Sequence, residues 1–344
     1  MAWERFQSAP GLDGLAACVA VVMLLVFVLL LALGIDARWG EPRARFHPVV
    51  AMGRYLAACG RVTVRLRPAP AFALGALAWW LGVLVTGLLA WGVQAFAFRQ
   101  FGLLIAQPAP DSAAAFVLLA ALMGWLLKCM LSWRMLQDEV GAVELALQQS
   151  LEAGRERLSW LVSRNTALLS ASEVRESAIE SLAENLNDSV VAPIFWFVLF
   201  GLPGAAIYRF ANTADAMWGY RGQWEWAGKW AARADDVLSW LPARLTAVLL
   251  ALAARGLPLG ALRWEASKTP SPNSGWPMAA MALALGVSLG KPGVYTLNAA
   301  GRPAEAADTA SAQKYASKAV LALVLFAKIA ILIIAISYYI ALSP

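Results

Sequence analysis

Apolar residues run through this chain in long stretches, and the stretches predict membrane helices. Residues 15–33 carry no charge over nineteen positions, 71–98 none over twenty-eight, 319–344 only Lys328, and 113–133 only Lys128. A helix needs about 20 apolar residues to cross a hydrocarbon core, so each run is read as a span. The first is read as a retained anchor, because Glu4, Arg5 and Asp13 precede a run too long for a signal peptide and no small-residue cleavage site follows. Residues 190–210 are apolar but interrupted by Pro193, Gly201, Pro203 and Gly204, which predicts a broken or re-entrant helix. Residues 245–262 contain Arg255, Gly256 and Pro258 and read as a span or a membrane-embedded hairpin. Residues 278–290 are too short to cross, and a polar segment up to Lys318 precedes the last span.

One stretch reverses the pattern. At 100° per residue, Glu173, Glu176, Glu180, Glu184, Asn187 and Asp188 fall on one side of a helix, and Val174, Ala178, Ile179, Leu182 and Leu186 on the other. Ser170 followed by Glu173 is a capping-box start, and Pro193 marks the start of a new element. Glu176, Glu180 and Glu184 stand at successive i, i+4 positions without a Lys or Arg among them, which costs a few tenths of a kcal/mol per like-charged pair. A cation from elsewhere is therefore expected to face them. Asn185 lies about 100° from Glu184 toward the apolar side and reads as pinning a neighbouring segment. Ahead of this helix, residues 134–169 read as a polar helix pair broken at Gly154.

Composition agrees with the membrane reading: 60% of the residues are hydrophobic and 15% charged, with a mean hydropathy of +0.61. The net charge of +6 comes from basic residues placed as topology signals, not as a nucleic-acid surface. Seven Arg against two acids in 34–70, and five Arg in 134–189, put those loops in the cytoplasm, while 99–112 with one Arg and one Asp lies outside. Cys18, Cys59 and Cys129 have no metal-ligand spacing and read as small buried hydrophobes. The only histidine, His47, precedes Pro48 and by itself reads as a turn residue. Arg43, Arg45 and Arg54 by themselves read as positive-inside anchors.

A second polar cluster follows the broken segment: Asn212 and Asp215 at i, i+3, then Arg233 before Asp235 and Asp236, then Arg244. Paired carboxylates with Arg suit Mg²⁺ shared with substrate phosphates, and suit equally a salt-bridge network between amphipathic helices. Neither a Walker motif, a G-x-G-x-x-G, a Ser-His-Asp constellation nor an internal repeat occurs.

Taken together and in order, the motifs are recognisable. They are Asp36 with Gly40-Glu-Pro42; His47-Pro48 with Met52-Gly53-Arg54; Arg164 with Thr166; Glu180-Ser-Leu-Ala-Glu184-Asn185 with Asp188 and Pro193; Gly201-Leu-Pro-Gly204 with Tyr208; Asn212-Thr213 with Asp215 and Gly219-Tyr220; Arg233 with Asp235-Asp236; Pro242-Ala-Arg244; and Ser271-Pro272-Asn273 with Gly275. From about Gly34 to Tyr339 the chain resembles the adenosylcobinamide-phosphate synthases, the CobD/CbiB family of cobalamin biosynthesis. The resemblance implies an all-α, polytopic protein of the cell inner membrane, a single membrane-embedded domain with broken or re-entrant helices and a cytoplasm-facing catalytic core at 134–246. The implied enzyme is a carbon-nitrogen ligase that joins aminopropanol or aminopropanol phosphate to a propionate carboxylate of adenosylcobyric acid. Amide formation from a carboxylate in water is uphill, so ATP and Mg²⁺ are the implied cofactors, with an acyl phosphate as the expected activated form.

On this reading Glu180, Glu184, Asp215 and Asp236 are catalytic. Asp188, Asp235 and Asp236 hold the metal. His47, Arg54, Arg164, Asn185, Asn212, Arg233, Arg244 and Asn273 bind substrate or phosphate. The chain departs from the family's usual residues at Asn165, Ser189, Ser239 and Lys268-Thr-Pro, so a non-catalytic sensor or a transporter stays open beside the enzyme, as does homo-oligomerisation. A shared site for Glu184 and Asp236 further demands that 190–210 return the chain to the side it left.

Overall fold

A computed structural model describes residues 14–106 and 112–342. Of the short loop expected outside, 99–106 continue the preceding helix, and 107–111, with Gln107 and Pro110, lie beyond the described residues. In chain order the helices are α1 (Gly14–Trp39), α2 (Pro48–Thr63), α3 (Pro68–Ala106), α4 (Ser112–Lys128), α5 (Trp133–Gln149), α6 (Leu151–Leu158) and α7 (Ala171–Leu186). After a π-helical turn at Asn187–Val191 come α8 (Ala192–Phe200), α9 (Leu202–Trp218), α10 (Lys229–Ala253), α11 (Leu259–Ala266) and α12 (Gly275–Leu285). A hairpin of β1 (Leu289–Lys291) and β2 (Tyr295–Leu297) precedes the last helix, α13 (Ala306–Leu342).

Among the described residues five helical segments are long and apolar enough to cross a membrane: Cys18–Trp39, Pro68–Leu104, Ala113–Gln149, Lys229–Ala253 and Ala306–Ala341. The protein is all-α and polytopic. The Lys229–Ala253 segment corrects the expectation of a span or hairpin at 245–262. That helix starts earlier, tolerates Pro242 within it, and stops where Arg255 (φ 65°) and Gly256 (φ 113°) take left-handed backbone. The hairpin also begins at the end of the short apolar run 278–290 and continues into what the sequence offered only as a polar segment.

The chain forms two compact units, the first comprising 1–132, 193–235 and 325–344, the second 133–192 and 236–324. In the first, α1 packs on α4, and α9 packs on α2 and α3. Small residues let these helices approach: a Cβ on Gly82 would stand 2.0 Å from the Phe210 ring. The break expected in 190–210 falls at Gly201, whose φ of 69° ends α8. Past it the chain doubles back, since a Cβ on Gly204 would lie 2.3 Å from the Trp196 carbonyl oxygen, whereas eight residues of continuous helix would separate them by about 12 Å. The first amide of α9, Leu202 N, donates to Gln94 Oε1 at 2.7 Å, which satisfies a helix-end donor that lipid could not.

In the second unit α7 packs against α5, α6, α12 and β1. The capping box forms as expected: Glu173 N donates to Ser170 Oγ at 3.3 Å, and Ser170 N to Glu173 Oε2 at 2.7 Å. Val174, Ala178, Ile179, Leu182 and Leu186 are all buried. The break between α5 and α6 is at Ser150 rather than Gly154. Ser150 Oγ caps α6 by accepting from Ala153 N at 3.1 Å, and Gly154 lies inside α6 because Leu147 packs over it.

Candidate active site

Although α7 is amphipathic by sequence, protein also covers part of its acidic side: Glu173 and Glu176 are half-buried and Glu184 is exposed. Glu180 is 1% exposed. It faces a polar cavity of about 340 Å³ in the second unit, whose walls include Arg164, Glu180, Glu184, Asn185, Lys291 and Tyr295. Four segments build it. The loop after α6 brings Arg164; α7 brings the carboxylates one turn apart, as i, i+4 spacing dictates; the loop from Thr269 to Ser274 closes one wall; and the hairpin brings Lys291 and Tyr295.

Arg164 is the cation that the row of carboxylates called for. Its Nη2 donates to Glu180 Oε2 at 2.8 Å, and its Nη1 to the Gly290 carbonyl at 3.4 Å. The other carboxylate oxygen, Oε1, is buried without a well-formed hydrogen bond, although the Tyr295 phenol stands beside it. Burial pushes the Glu180 carboxyl above the usual range, and Arg164 opposes that shift. Burial, with Glu180 adding to it, likewise raises the Tyr295 phenol.

Glu184, one turn on, forms no ion pair among the described residues. Its side chain reaches the water of the cavity, but the concave wall around it is protein. That enclosure, with the charges of Asp188 and Glu180, raises its carboxyl to about 7. A carboxylate poised there can exchange a proton near neutral pH.

The hairpin explains how Lys291 comes to this site. Gly293 takes φ 75° in the connection, and the register pairs Lys291 with Tyr295, so the two side chains stand together on one face. Neither was singled out in the sequence. Pro292-Gly293 between short apolar runs is the signal that could have found them.

Asn273 and Arg244 turn out to support the cavity loop. Asn273 is buried; its Oδ1 accepts from Arg244 Nη1 at 2.7 Å and its Nδ2 donates to the Asp236 carbonyl at 2.7 Å. Arg244 also donates to the Pro272 carbonyl at 3.0 Å and lies between the Trp240 and Trp276 rings, 4.5 and 4.9 Å from their centroids. Neither lines the cavity; Thr269, Ser271 and Ser274 of the same loop do. Asn185 does line it, with its Nδ2 donating to the Ser181 carbonyl at 3.0 Å one turn back.

In the first unit His47 caps α2. Its Nδ1 accepts from Val49 N at 3.3 Å, so its Nε2 carries the proton and donates to Glu41 Oε2 at 2.9 Å. Glu41 also pairs with Lys128 at 2.9 Å, and Lys128 with Asp36 at 3.4 Å. Lys128 and Asp36 are almost fully buried. Burial pushes the Glu41 carboxyl up, but hydrogen bonds from His47 and Lys128 outweigh it and hold the group low. The sequence passed over Lys128 as a mere interruption; a charge inside an apolar helix is itself a signal that a partner exists. Arg54 and Arg233 are exposed, and Asn212, Asp215 and Asp235 half-buried. All five belong to the first unit, while Asp188 and Asp236 belong to the second.

Among the described residues no group of three or more His, Cys, Asp or Glu is placed to hold a metal ion. The expected metal ligands divide between the units, Asp235 in the first and Asp188 and Asp236 in the second.

The sequence model of the family described as CobD/Cbib protein matches residues 29–324. The probable cobalamin biosynthesis protein CobD of Thermococcus kodakarensis is 43% identical over 270 residues, covering 77% of this chain and 83% of that protein. The protein of the same name in Methanothermobacter thermautotrophicus is 38% identical over 322 residues, covering 88% and 95%. Cobalamin biosynthesis protein CobD of Dehalococcoides mccartyi is 36% identical over 288 residues, covering 82% and 89%. No solved structure matches the chain. With most of its length matched by the family and by these relatives, the chain belongs to the CobD/Cbib family of cobalamin biosynthesis.

Proposed function

We propose that the chain is the amide-forming synthase of its pathway, joining aminopropanol or its O-phosphate to the propionate carboxylate of adenosylcobyric acid with ATP and Mg²⁺. The observation that carries this reading is the cavity in which Arg164 and Lys291 stand with Glu180 and Glu184. The reaction needs anion-binding cations and a proton acceptor within one polar enclosure, and these residue types supply both.

Arg164 and Lys291 hold the anionic groups that enter, a carboxylate or a phosphate. The Glu180 carboxylate fixes the Arg164 guanidinium and leaves its remaining N–H groups to the cavity. Glu184 takes the proton that the amine must lose, since an ammonium has no lone pair with which to attack carbon. Its raised affinity for protons suits that transfer near neutral pH. ATP with Mg²⁺ supplies the driving force that turns a carboxylate oxygen into a leaving group.

Purified protein given adenosylcobyric acid, an aminopropanol donor, ATP and Mg²⁺ is expected to yield a cobinamide-type product, and Glu184→Gln to abolish it. Well-folded protein that yields no product from either donor would overturn the proposal.

A further inference from the structure

An apolar hollow lies within the first unit. It measures about 610 Å³ and is walled by α2, α3, α9 and the C-terminal end of α4, with Met52, Tyr55, Val85, Met130, Ala206 and Phe210 among its residues. Its few polar groups ask for no polar ligand: the Tyr55 hydroxyl already donates to the Ala78 carbonyl at 2.7 Å. A corrinoid, fringed with amides, would leave those amides unpaired against such walls, at a cost of about 1–3 kcal/mol each.

The position of the mouth identifies what enters. Leu81, Val85 and Leu89 line the hollow and are 48%, 54% and 68% exposed. They recur once per turn within Pro68–Leu104, the segment of α3 long and apolar enough to cross the membrane. The opening is thus a lateral gap in a membrane helix face, where the surrounding solvent is lipid. The far wall is made of side chains that face no lipid otherwise, with Met130 3% and Phe210 1% exposed.

We infer that this hollow is a binding site for the acyl chain of a membrane phospholipid, entering between Leu81, Val85 and Leu89 and ending against Met130 and Phe210. The volume falls within the roughly 300–1,000 Å³ of ligand sites. The inference is independent of the reaction proposed for the other unit.

Photolabelling tests it. The full-length protein, reconstituted in vesicles of phosphatidylcholine bearing a mid-chain diazirine, is irradiated, and the labelled residues are mapped by mass spectrometry. Label is expected on Met130 and Phe210 as well as on Leu84 and Leu88, which are exposed but do not line the hollow. In Ala206→Phe, which fills it, label on Met130 is expected to fall about tenfold, equivalent to about 1.4 kcal/mol of lost occupancy, with Leu84 and Leu88 unchanged. Val85→Trp, which narrows the mouth, supplies a second variant should the first fail to fold, and the same loss is expected. Label confined to Leu84 and Leu88 in the unsubstituted protein would overturn the inference. So would loss of Met130 label on adding adenosylcobyric acid, which would make the hollow a substrate site.

Discussion

Arg164 Nη2 stands 2.8 Å from Glu180 Oε2, and the glutamate side chain is 2% exposed while the arginine side chain is 17% exposed. The pair is thus lopsided: the acid is buried in the wall of the cavity and the base reaches it from the rim. Removing the base strands the acid. Arg164→Met is expected to cost about 3 kcal/mol of stability, read as a lowered thermal midpoint in detergent by circular dichroism. Adding Glu180→Gln to it is expected to recover part of that loss; equal loss in the single and double variants would show the pair to be uncoupled.

Proton uptake by Glu184 gives a pH signature. Its carboxyl is raised from 4.5 to about 7, so synthesis is expected to climb with pH along a limb centred near 7, where the base form appears. Asp188→Asn removes one of the charges that raise it and is expected to move the limb to lower pH. Stability follows the opposite course. Between pH 4.5 and about 7 the folded chain keeps a proton that the unfolded chain has released, so this contribution is complete below 4.5 and gone above 7. Glu184→Gln is expected to flatten the dependence; an unmoved limb in Asp188→Asn would count against the assignment.

Lys291 is exposed at the tip of the hairpin, and its loss is expected to leave the fold intact. Lys291→Ala is expected to raise KM for an anionic substrate by about tenfold, the scale of one lost charged hydrogen bond, with kcat less affected. Steady-state kinetics checks it, and a KM unchanged for every substrate would exclude the lysine from binding.

These contrasts mark what the sequence could disclose. Runs such as 71–98, free of charge, announce a span on composition alone, and the Ser170–Glu173 box announces the start of α7 because its partners are three residues apart. Arg164 was anticipated from the unpaired acids, and from the resemblance. Long-range partners were not legible: Arg244 meets Asn273 across 29 positions, and nothing local separates a phosphate-binding arginine from one that holds a loop. Lys128 and Lys291 escaped for a related reason, since a charge acquires its meaning from whichever segment folds against it.

Asn273 offers a test of the loop's role. Its side chain accepts from Arg244 and donates to the Asp236 carbonyl, and its backbone N–H donates to Ser271 Oγ at 3.2 Å. Asn273→Ala is expected to cost about 1–3 kcal/mol and to open the segment from Thr269 to Ser274 to protease, followed by mass spectrometry of the nicked chain. Resistance equal to that of the unsubstituted protein would return Asn273 to a substrate-contacting role.

In the other unit, Lys128 sits between Asp36 and Glu41, and both Lys128 and Asp36 are 1% exposed. Lys128→Met is expected to cost about 3–5 kcal/mol by removing the buried cation that faces the Asp36 and Glu41 carboxylates. Asp36→Asn combined with it is expected to restore most of the thermal midpoint; no recovery would mean that Asp36 draws its support from other groups.

The corner at Gly201 binds two distant positions to a common history. A Cβ at 201 would fall 2.2 Å from Gln94 Oε1, the same oxygen that receives Leu202 N. A mutation at either position alone therefore meets a penalty that only the other can relieve: a side chain at 201 evicts the glutamine, and a shorter residue at 94 strands an amide in apolar surroundings. Descendants of this chain are expected to change the two sites in concert or to keep both, so that 94 and 201 covary although 107 residues separate them.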